Sequence, residues 1–388
     1  MKGALPEDSL QKAWDGAVLQ LGPFKSRGMT REQQRGVYTA VIVSCEFERG
    51  KMDVTIVFDV AGQVAGLQMK PPAAPVEYAL PDYAVASAYT EREVTIGSGE
   101  WALPGTLSVP SGPGPFPAVV LVHGSGPNDR DESFGPNKTF KDLALGLASR
   151  GVAVLRYDKR TLVHRAKVAP LTQFTVKEET IDDAIAAVDV LRNTPSINPT
   201  KIFVLGHSLG GTVAPRIAAA DPRVAGLIVM AGAVRSLDQS VFDQYTYLAQ
   251  ADGTVSAAEQ KIIDEAKNTI DVVAKLTPAD AKSGRSIAGG PVSYWLDLRG
   301  FDPPAAAARL PQRMLILQGA RDYQVTVADF ERWKTALAGK ANVQFRLYPA
   351  LNHFFLAGTG KSLPAEYQIP GHVPVEVIED IAGWIKVS

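Results

Sequence analysis

The segment Val204-Leu205-Gly206-His207-Ser208-Leu209-Gly210-Gly211 sets the pattern G-x-S-x-G between an apolar run and a helix-forming stretch. A serine on a sharp strand-to-helix turn is exposed for nucleophilic attack, and glycines on either side leave room for the chains that pass close to such a turn. The start of the following helix adds partial positive charge beneath the hydroxyl. Ser208 is therefore the candidate nucleophile. A chance glycine-serine turn is the plain alternative, and the placement between strand and helix counts against it.

A serine hydroxyl needs a base to take its proton. The chain has five histidines. His353, in Tyr348-Pro349-Ala350-Leu351-Asn352-His353-Phe354, follows the last expected strand, at the carboxyl edge where a parallel sheet presents its functional groups. His207 adjoins the serine but points away from it in such a turn, His123 sits on another loop, and His164 and His372 have no clear strand exit. The base in turn needs a carboxylate to fix its tautomer. Asp322, in Leu317-Gln318-Gly319-Ala320-Arg321-Asp322-Tyr323, leaves the penultimate strand ahead of His353. Asp238, after the preceding strand, is the alternative acid.

Acyl transfer through this set also requires donors for an oxyanion. The turn itself supplies the backbone N–H of Leu209, and His123-Gly124-Ser125-Gly126-Pro127, directly after an apolar strand, is expected to supply that of Ser125. The same glycine-rich turn read as a phosphate cradle lacks both the lysine-serine ending and the G-x-G-x-x-G spacing. The charged runs Asn128 to Glu132 and Tyr157 to Arg160 leave strands at the same edge. They either shape the pocket or tie two loops together by ion pairs, and no catalytic step is assigned to them.

The elements that must position these residues follow from periodicity. From Tyr89 on, strand-like runs (Glu93 to Ile96, Trp101 to Val109, Ala118 to Val122, Val152 to Tyr157, Lys201 to Leu205, Gly226 to Ala231, Met314 to Gln318, Val343 to Tyr348) are separated for the most part by helical stretches. Those are Phe140 to Ser149, Glu178 to Arg192, Leu209 to Ala220, Val327 to Leu337 and Val375 to Lys386. Alternation of this kind predicts an α/β fold with a mostly parallel sheet covered on both faces. The interval from about 233 to 310 is longer than a connection needs and carries helical spacing in Ser256 to Leu276, which predicts an inserted helical cap.

Before it, Ser9 to Leu21 has helical spacing, and Val37 to Phe47, Asp53 to Asp59 and Gln63 to Met69 read as three strands joined by hairpin turns. Residues 1–80 are thus expected to be a small α+β domain and 89–388 the large one, with Pro71-Pro72-Ala73-Ala74-Pro75 as an extended spacer.

Composition narrows the function classes. Forty basic and 41 acidic residues among 388 give a net charge of -1, without the basic footprint of a nucleic-acid binder. The one cysteine, Cys45, excludes an internal disulfide and reads as a small hydrophobe on a strand. No His and carboxylate cluster has metal-ligand spacing, so neither metal nor cofactor is expected. No stretch is apolar for the length of a transmembrane span, and Met1 to Glu7 lacks the apolar core of a leader. Both a cytoplasmic location and export with a leader absent from this sequence stay open.

The combination Trp101-Ala102-Leu103-Pro104-Gly105-Thr106-Leu107, His123 to Asp131, Arg156-Tyr157-Asp158-Lys159-Arg160 and Gly206 to Gly211 resembles the α/β-hydrolase superfamily and, within it, the two-domain bacterial esterases of the EstD kind. The resemblance spans nearly the whole chain. It implies Ser208, Asp322 and His353 as triad and short acyl esters as small-molecule substrates. Residues 1–80 are similar to the small N-terminal domain of such esterases; covering the site, binding a surface and pairing the chain into a homodimer are the roles left open for them. At Thr161-Leu162-Val163-His164-Arg165 the chain departs from the glycine-rich turn usual in such esterases, which leaves pocket shape open there. Ester hydrolysis through an acyl-enzyme, with the cap supplying an apolar acyl pocket, is the first expectation. Thioester or peptide hydrolysis on the same residues and a catalytically inactive binding protein are the alternatives.

Overall fold

The computed structural model describes residues 7–35, 38–72 and 78–387. The leader reading of Met1 to Glu7 therefore falls mostly outside the described residues, as do Val37 and the Ala73-Ala74-Pro75 part of the spacer.

The N-terminal unit is one helix, α1 (Glu7–Leu21), on a four-stranded antiparallel meander, β1 (Phe24–Arg35), β2 (Tyr38–Phe47), β3 (Gly50–Phe58) and β4 (Val64–Lys70). Its core joins Trp14, Ala17, Val18 and Leu21 of the helix to Cys45, Phe47, Met52 and Val54 of the sheet. Cys45 is free and buried there as a packing group. The expected three strands are four. The added one, β1, is the polar run Phe24-Lys25-Ser26-Arg27-Gly28-Met29-Thr30-Arg31-Glu32-Gln33-Gln34-Arg35, an exposed edge strand with two register shifts against β2. An edge strand with no buried face has no period-2 signal for sequence to reveal.

The large unit is built on an eight-stranded sheet. Its strands are β5 (Tyr89–Ile96), β6 (Leu103–Pro110), β7 (Phe116–Val122), β8 (Ala153–Tyr157), β9 (Ile197–His207), β10 (Gly226–Met230), β11 (Arg313–Gly319) and β12 (Val343–Tyr348), in the spatial order β12-β11-β10-β9-β7-β8-β6-β5. Only β6 runs against the others. Both faces are buried, which is why the central strands read as continuous apolar runs. Val120, Val122, Leu155 and Val204 point to one layer, where helices α3 (Asp182–Arg192), α4 (Leu209–Ala220) and α9 (Val327–Ala336) lie. Val119, Leu121, Val154 and Phe203 point to the other, covered by α2 (Thr139–Ala148) and α10 (Val375–Lys386). Helix α10 shows the logic in small: Val377, Ile378, Ile381, Ala382 and Ile385 share one stripe and are all buried. Each fully buried aliphatic side chain of these layers contributes about 1.5–3 kcal/mol.

Between β10 and β11 the chain leaves the sheet as α5 (Leu237–Ala249), α6 (Ala257–Ala274), α7 (Val292–Arg299) and α8 (Pro303–Ala308). Helix α6 is started by a capping box in which Ser256 and Glu259 satisfy each other's backbone N–H groups. The mostly parallel sheet, the inserted helices and the separate N-terminal unit are the fold class expected from periodicity.

Candidate active site

Ser208 sits between β9 and α4 with φ +53° and ψ −118°, a conformation that costs a non-glycine residue about 1–3 kcal/mol. The backbone pays for it with a bond from Ser208 N–H to the Met230 carbonyl at 2.9 Å. The flanking glycines are steric necessities. A Cβ on Gly206 would lie 2.2 Å from the Gly210 carbonyl oxygen, and one on Gly210 would lie 2.2 Å from that of Val122. As the first residue of α4, Leu209 has no helical acceptor for its N–H.

His353 and Asp322 come together on the loops after β12 and β11. His353 Nδ1 donates to Asp322 Oδ2 at 2.7 Å, and both side chains are buried. The carboxylate is fixed on its other sides by the N–H groups of Gln324 (2.8 Å) and Val325 (3.0 Å) and by Gln318 Nε2 (3.2 Å). With Nδ1 so engaged, Nε2 is the ring atom left to act as base. Ser208 and His353 line the same cavity, of about 260 Å³. Among the described residues no hydrogen bond joins the Ser208 hydroxyl to the His353 ring. Asp238, the alternative acid, is buried in the first turn of α5, and no hydrogen bond among the described residues links it to His353.

Ser125 also lines this cavity, on the loop after β7. That loop is held from three directions. Asn128 Nδ2 donates to the carbonyls of Gly124 (3.2 Å) and Ser125 (3.0 Å), and the buried Lys159 donates to the Gly124 carbonyl at 2.7 Å while pairing with Glu179 at 3.0 Å. Finally, the Gly124 N–H donates to Glu132 Oε1 at 3.0 Å.

Glu132 and His207 form a buried pair that sequence reading left without a role. Glu132 Oε2 stands 3.0 Å from His207 Nδ1, and His207 Nε2 lies 2.9 Å from the His353 carbonyl oxygen. Nε2 must carry a proton to donate to that carbonyl. No hydrogen bond joins Nδ1 to Oε2, but the carboxylate at 3.0 Å favours the charged, doubly protonated ring. Burial pushes the His207 value down, but the Glu132 carboxylate outweighs it and the net direction is up. For Glu132, burial pushes up, while His207 and the Gly124 N–H bring the net below its ordinary value. Only the residue types were legible in sequence, because the pair is made by the turn at Glu132, with φ +48°, folding back over the loop.

The remaining histidines are held by other partners. His123 is buried with Nε2 donating to the Asp129 carbonyl, and burial lowers its pKa to about 4. His164 lies 3.0 Å from the Ala102 carbonyl, and His372 pairs with Asp142. The two charged runs are tied by ion pairs: Arg130 joins Asp158 and Glu93, and Arg156 joins Asp131 and Glu91. The stretch Thr161 to Arg165, where the glycine-rich turn was lacking, is two short helical turns. Among the described residues no group of His, Cys, Asp and Glu stands together as metal ligands would, and no helix is long and apolar enough to cross a membrane.

Comparison with known proteins gives two family matches along the chain. Residues 119–362 match the alpha/beta hydrolase family, and residues 1–67 match a family described as a protein of unknown function (DUF3887). The chain is 40% identical over 385 residues to Esterase EstD of Thermotoga maritima, covering 99% of this chain and 89% of that one. A shorter likeness, 32% over 130 residues, covers 34% of this chain and 32% of the 2,6-dihydropseudooxynicotine hydrolase of Paenarthrobacter nicotinovorans. Among solved structures, an esterase of Pyrococcus furiosus is similar at 16% identity and a TM-score of 0.47, covering 82% of this chain and 97% of that one.

Proposed function

This chain belongs to the α/β-hydrolase family, and from that premise we propose that it is a carboxylesterase that hydrolyses short-to-medium acyl esters of small molecules, with Ser208 as nucleophile, His353 as base and Asp322 as the acid that orients it. It is a serine hydrolase. The observation that carries the assignment is the 2.7 Å bond from His353 Nδ1 to Asp322, made at the edge of the cavity into which Ser208 opens.

The geometry supports the following steps. As the Ser208 hydroxyl attacks the ester carbonyl, its proton passes to His353 Nε2 and the imidazolium is stabilised by Asp322. The negative charge that develops on the carbonyl oxygen is met by the N–H groups of Leu209 and Ser125, donors already fixed before substrate arrives; one such donor is worth about 10²–10³ in rate. Collapse of the tetrahedral intermediate breaks the ester C–O bond, and the departing alkoxide takes the proton from His353. Water then attacks the acyl-Ser208 ester with the same base, releasing the acid and restoring the hydroxyl.

The test is hydrolysis of aryl esters of graded acyl length, acyl thioesters and aminoacyl arylamides by the wild type and Ser208→Ala. The expected result is turnover of short aryl esters that Ser208→Ala abolishes. Preference for the thioesters or arylamides would move the substrate class, and absence of turnover throughout would leave a binding protein.

A further inference from the structure

Two cavities meet at Ser208. The larger, of about 260 Å³, contains His353. The smaller, of about 130 Å³, does not; it is bounded by Leu209 and by Leu237, Val241, Phe301 and Pro303 of the cap region. Both reach Ser125. An ester bound at Ser208 must place its leaving oxygen where His353 Nε2 can protonate it, so the alcohol portion belongs on the His353 side. The acyl chain is left with the smaller cavity. A cavity of roughly 150 Å³ holds a benzene ring, so the acyl side suits a chain of a few carbons.

The wall of the larger cavity includes Gln20, a residue of α1 in the N-terminal unit, facing Tyr245, Leu248, Tyr323 and Tyr367. The helix is locked in place beside them. Leu19 is fully buried against Leu248, Ile262, Tyr323 and Tyr367. Ala17 and Leu21, two residues to either side and on the opposite face, point instead into the N-terminal sheet. Arg49, on the turn between β2 and β3, donates to the Leu19 carbonyl at 2.9 Å and reaches Asp252 (3.4 Å) and Glu259 (3.7 Å) on the cap. Helix α1 is thus shared between its own sheet and the active-site roof, and Gln20 stands at the rim with an amide that can both donate and accept.

We propose that the N-terminal unit forms the alcohol-side wall of the active site and that Gln20 contacts the leaving group, so that this unit selects among esters by their alcohol. The proposal rests on the esterase reading above. Residue 20 is an exposed helical position, so its side chain can be changed without opening a core.

The experiment compares the wild type, Gln20→Ala and Gln20→Trp on two substrate series: acetate esters of alcohols of increasing bulk, and esters of one small alcohol with acyl chains of increasing length. Gln20→Trp is expected to lower kcat/KM for bulky alcohols relative to small ones by roughly tenfold, the size of a filled pocket position. Gln20→Ala is expected to shift the same ratio the opposite way, and the acyl-length ranking should follow neither variant. An alcohol ranking unchanged in both variants, or a shift of equal size in the acyl series, would overturn the proposal while the esterase reading stood. A wild type that hydrolyses no ester would remove that reading itself.

Discussion

Glu132 Oε2 lies 3.0 Å from His207 Nδ1, and through this pair the loop that carries Ser125 is joined to the loop that carries His353. Glu132 holds the Gly124 N–H with its other oxygen, and His207 holds the His353 carbonyl with its other nitrogen. Both side chains line the cavity with Ser208 and His353, and their contacts to the Gly124 N–H and the His353 carbonyl fit a positioning role, setting where the loops around Ser208 stand.

Removing the charge at Glu132 is therefore predicted to weaken catalysis by misplacement. Glu132→Gln keeps an oxygen for the Gly124 N–H but leaves His207 without its carboxylate. We expect kcat to fall by about tenfold with KM little changed, on the order of the loss from a small displacement of a fixed site. Steady-state kinetics on a short aryl ester checks this, and a KM that rises while kcat holds would speak for a substrate contact instead.

Three buried groups, His123, Glu132 and His207, predict a pH dependence of stability. His123 is neutral in the fold down to about pH 4, whereas the unfolded chain protonates it near 6.5. Stability should therefore fall as pH drops from 6.5 toward 4, by on the order of 3 kcal/mol from this one group. Glu132, held below its ordinary 4.5, adds to the loss below that pH. His207 acts in the other direction. Its raised value makes its contribution complete below 6.5 and lost as pH rises through the folded-state value. Denaturant midpoints measured from about pH 4.5 to about pH 9 should peak near 6.5, and Glu132→Gln should flatten the alkaline limb.

The two candidate acids are separated by substitution. Asp322→Asn should lower kcat by about 10³–10⁴ with the fold intact, because the amide can still accept from the Gln324 and Val325 N–H groups but no longer fixes the histidine tautomer. Asp238→Asn should leave kcat within about threefold of wild type. Kinetics paired with thermal melting distinguishes the outcomes, and the reverse order of effects would move the acid to Asp238.

The turn at Ser208 tolerates no added carbon. Gly210→Ala puts a Cβ against the Val122 and His123 carbonyl oxygens, 2.2 and 2.7 Å away, and both belong to backbone that cannot rotate aside. We expect a loss of about 3 kcal/mol or more in denaturant unfolding, together with activity. An active, equally stable Gly210→Ala would mean that the turn is looser than the structure has it.

What the sequence makes legible is what local pattern controls. The doubly buried strands β7 to β11 announce themselves as apolar runs, and Ser208 and Asp322 stand at strand ends that those runs locate; His353 follows the edge strand β12, whose alternation marks it instead. Strand β1 was illegible because Phe24 to Arg35 buries no alternating face. The Glu132–His207 pair was illegible for a different reason: its members are 75 positions apart in the chain, and only the fold of the turn at Glu132 brings them together. The contact of Gln20 with the cavity is longer in range still. It depends on how one unit is set against another, which no spacing within α1 records.

The most direct test of the account is to trap the acyl-enzyme. The wild type, mixed with an activated short acyl ester or an organophosphonate and quenched, should show by mass spectrometry one stoichiometric adduct that maps to Ser208, with activity lost in proportion to labelling. Ser208→Ala should take up none. An adduct on another residue, or full labelling and turnover in Ser208→Ala, would contradict the assignment of Ser208 as nucleophile.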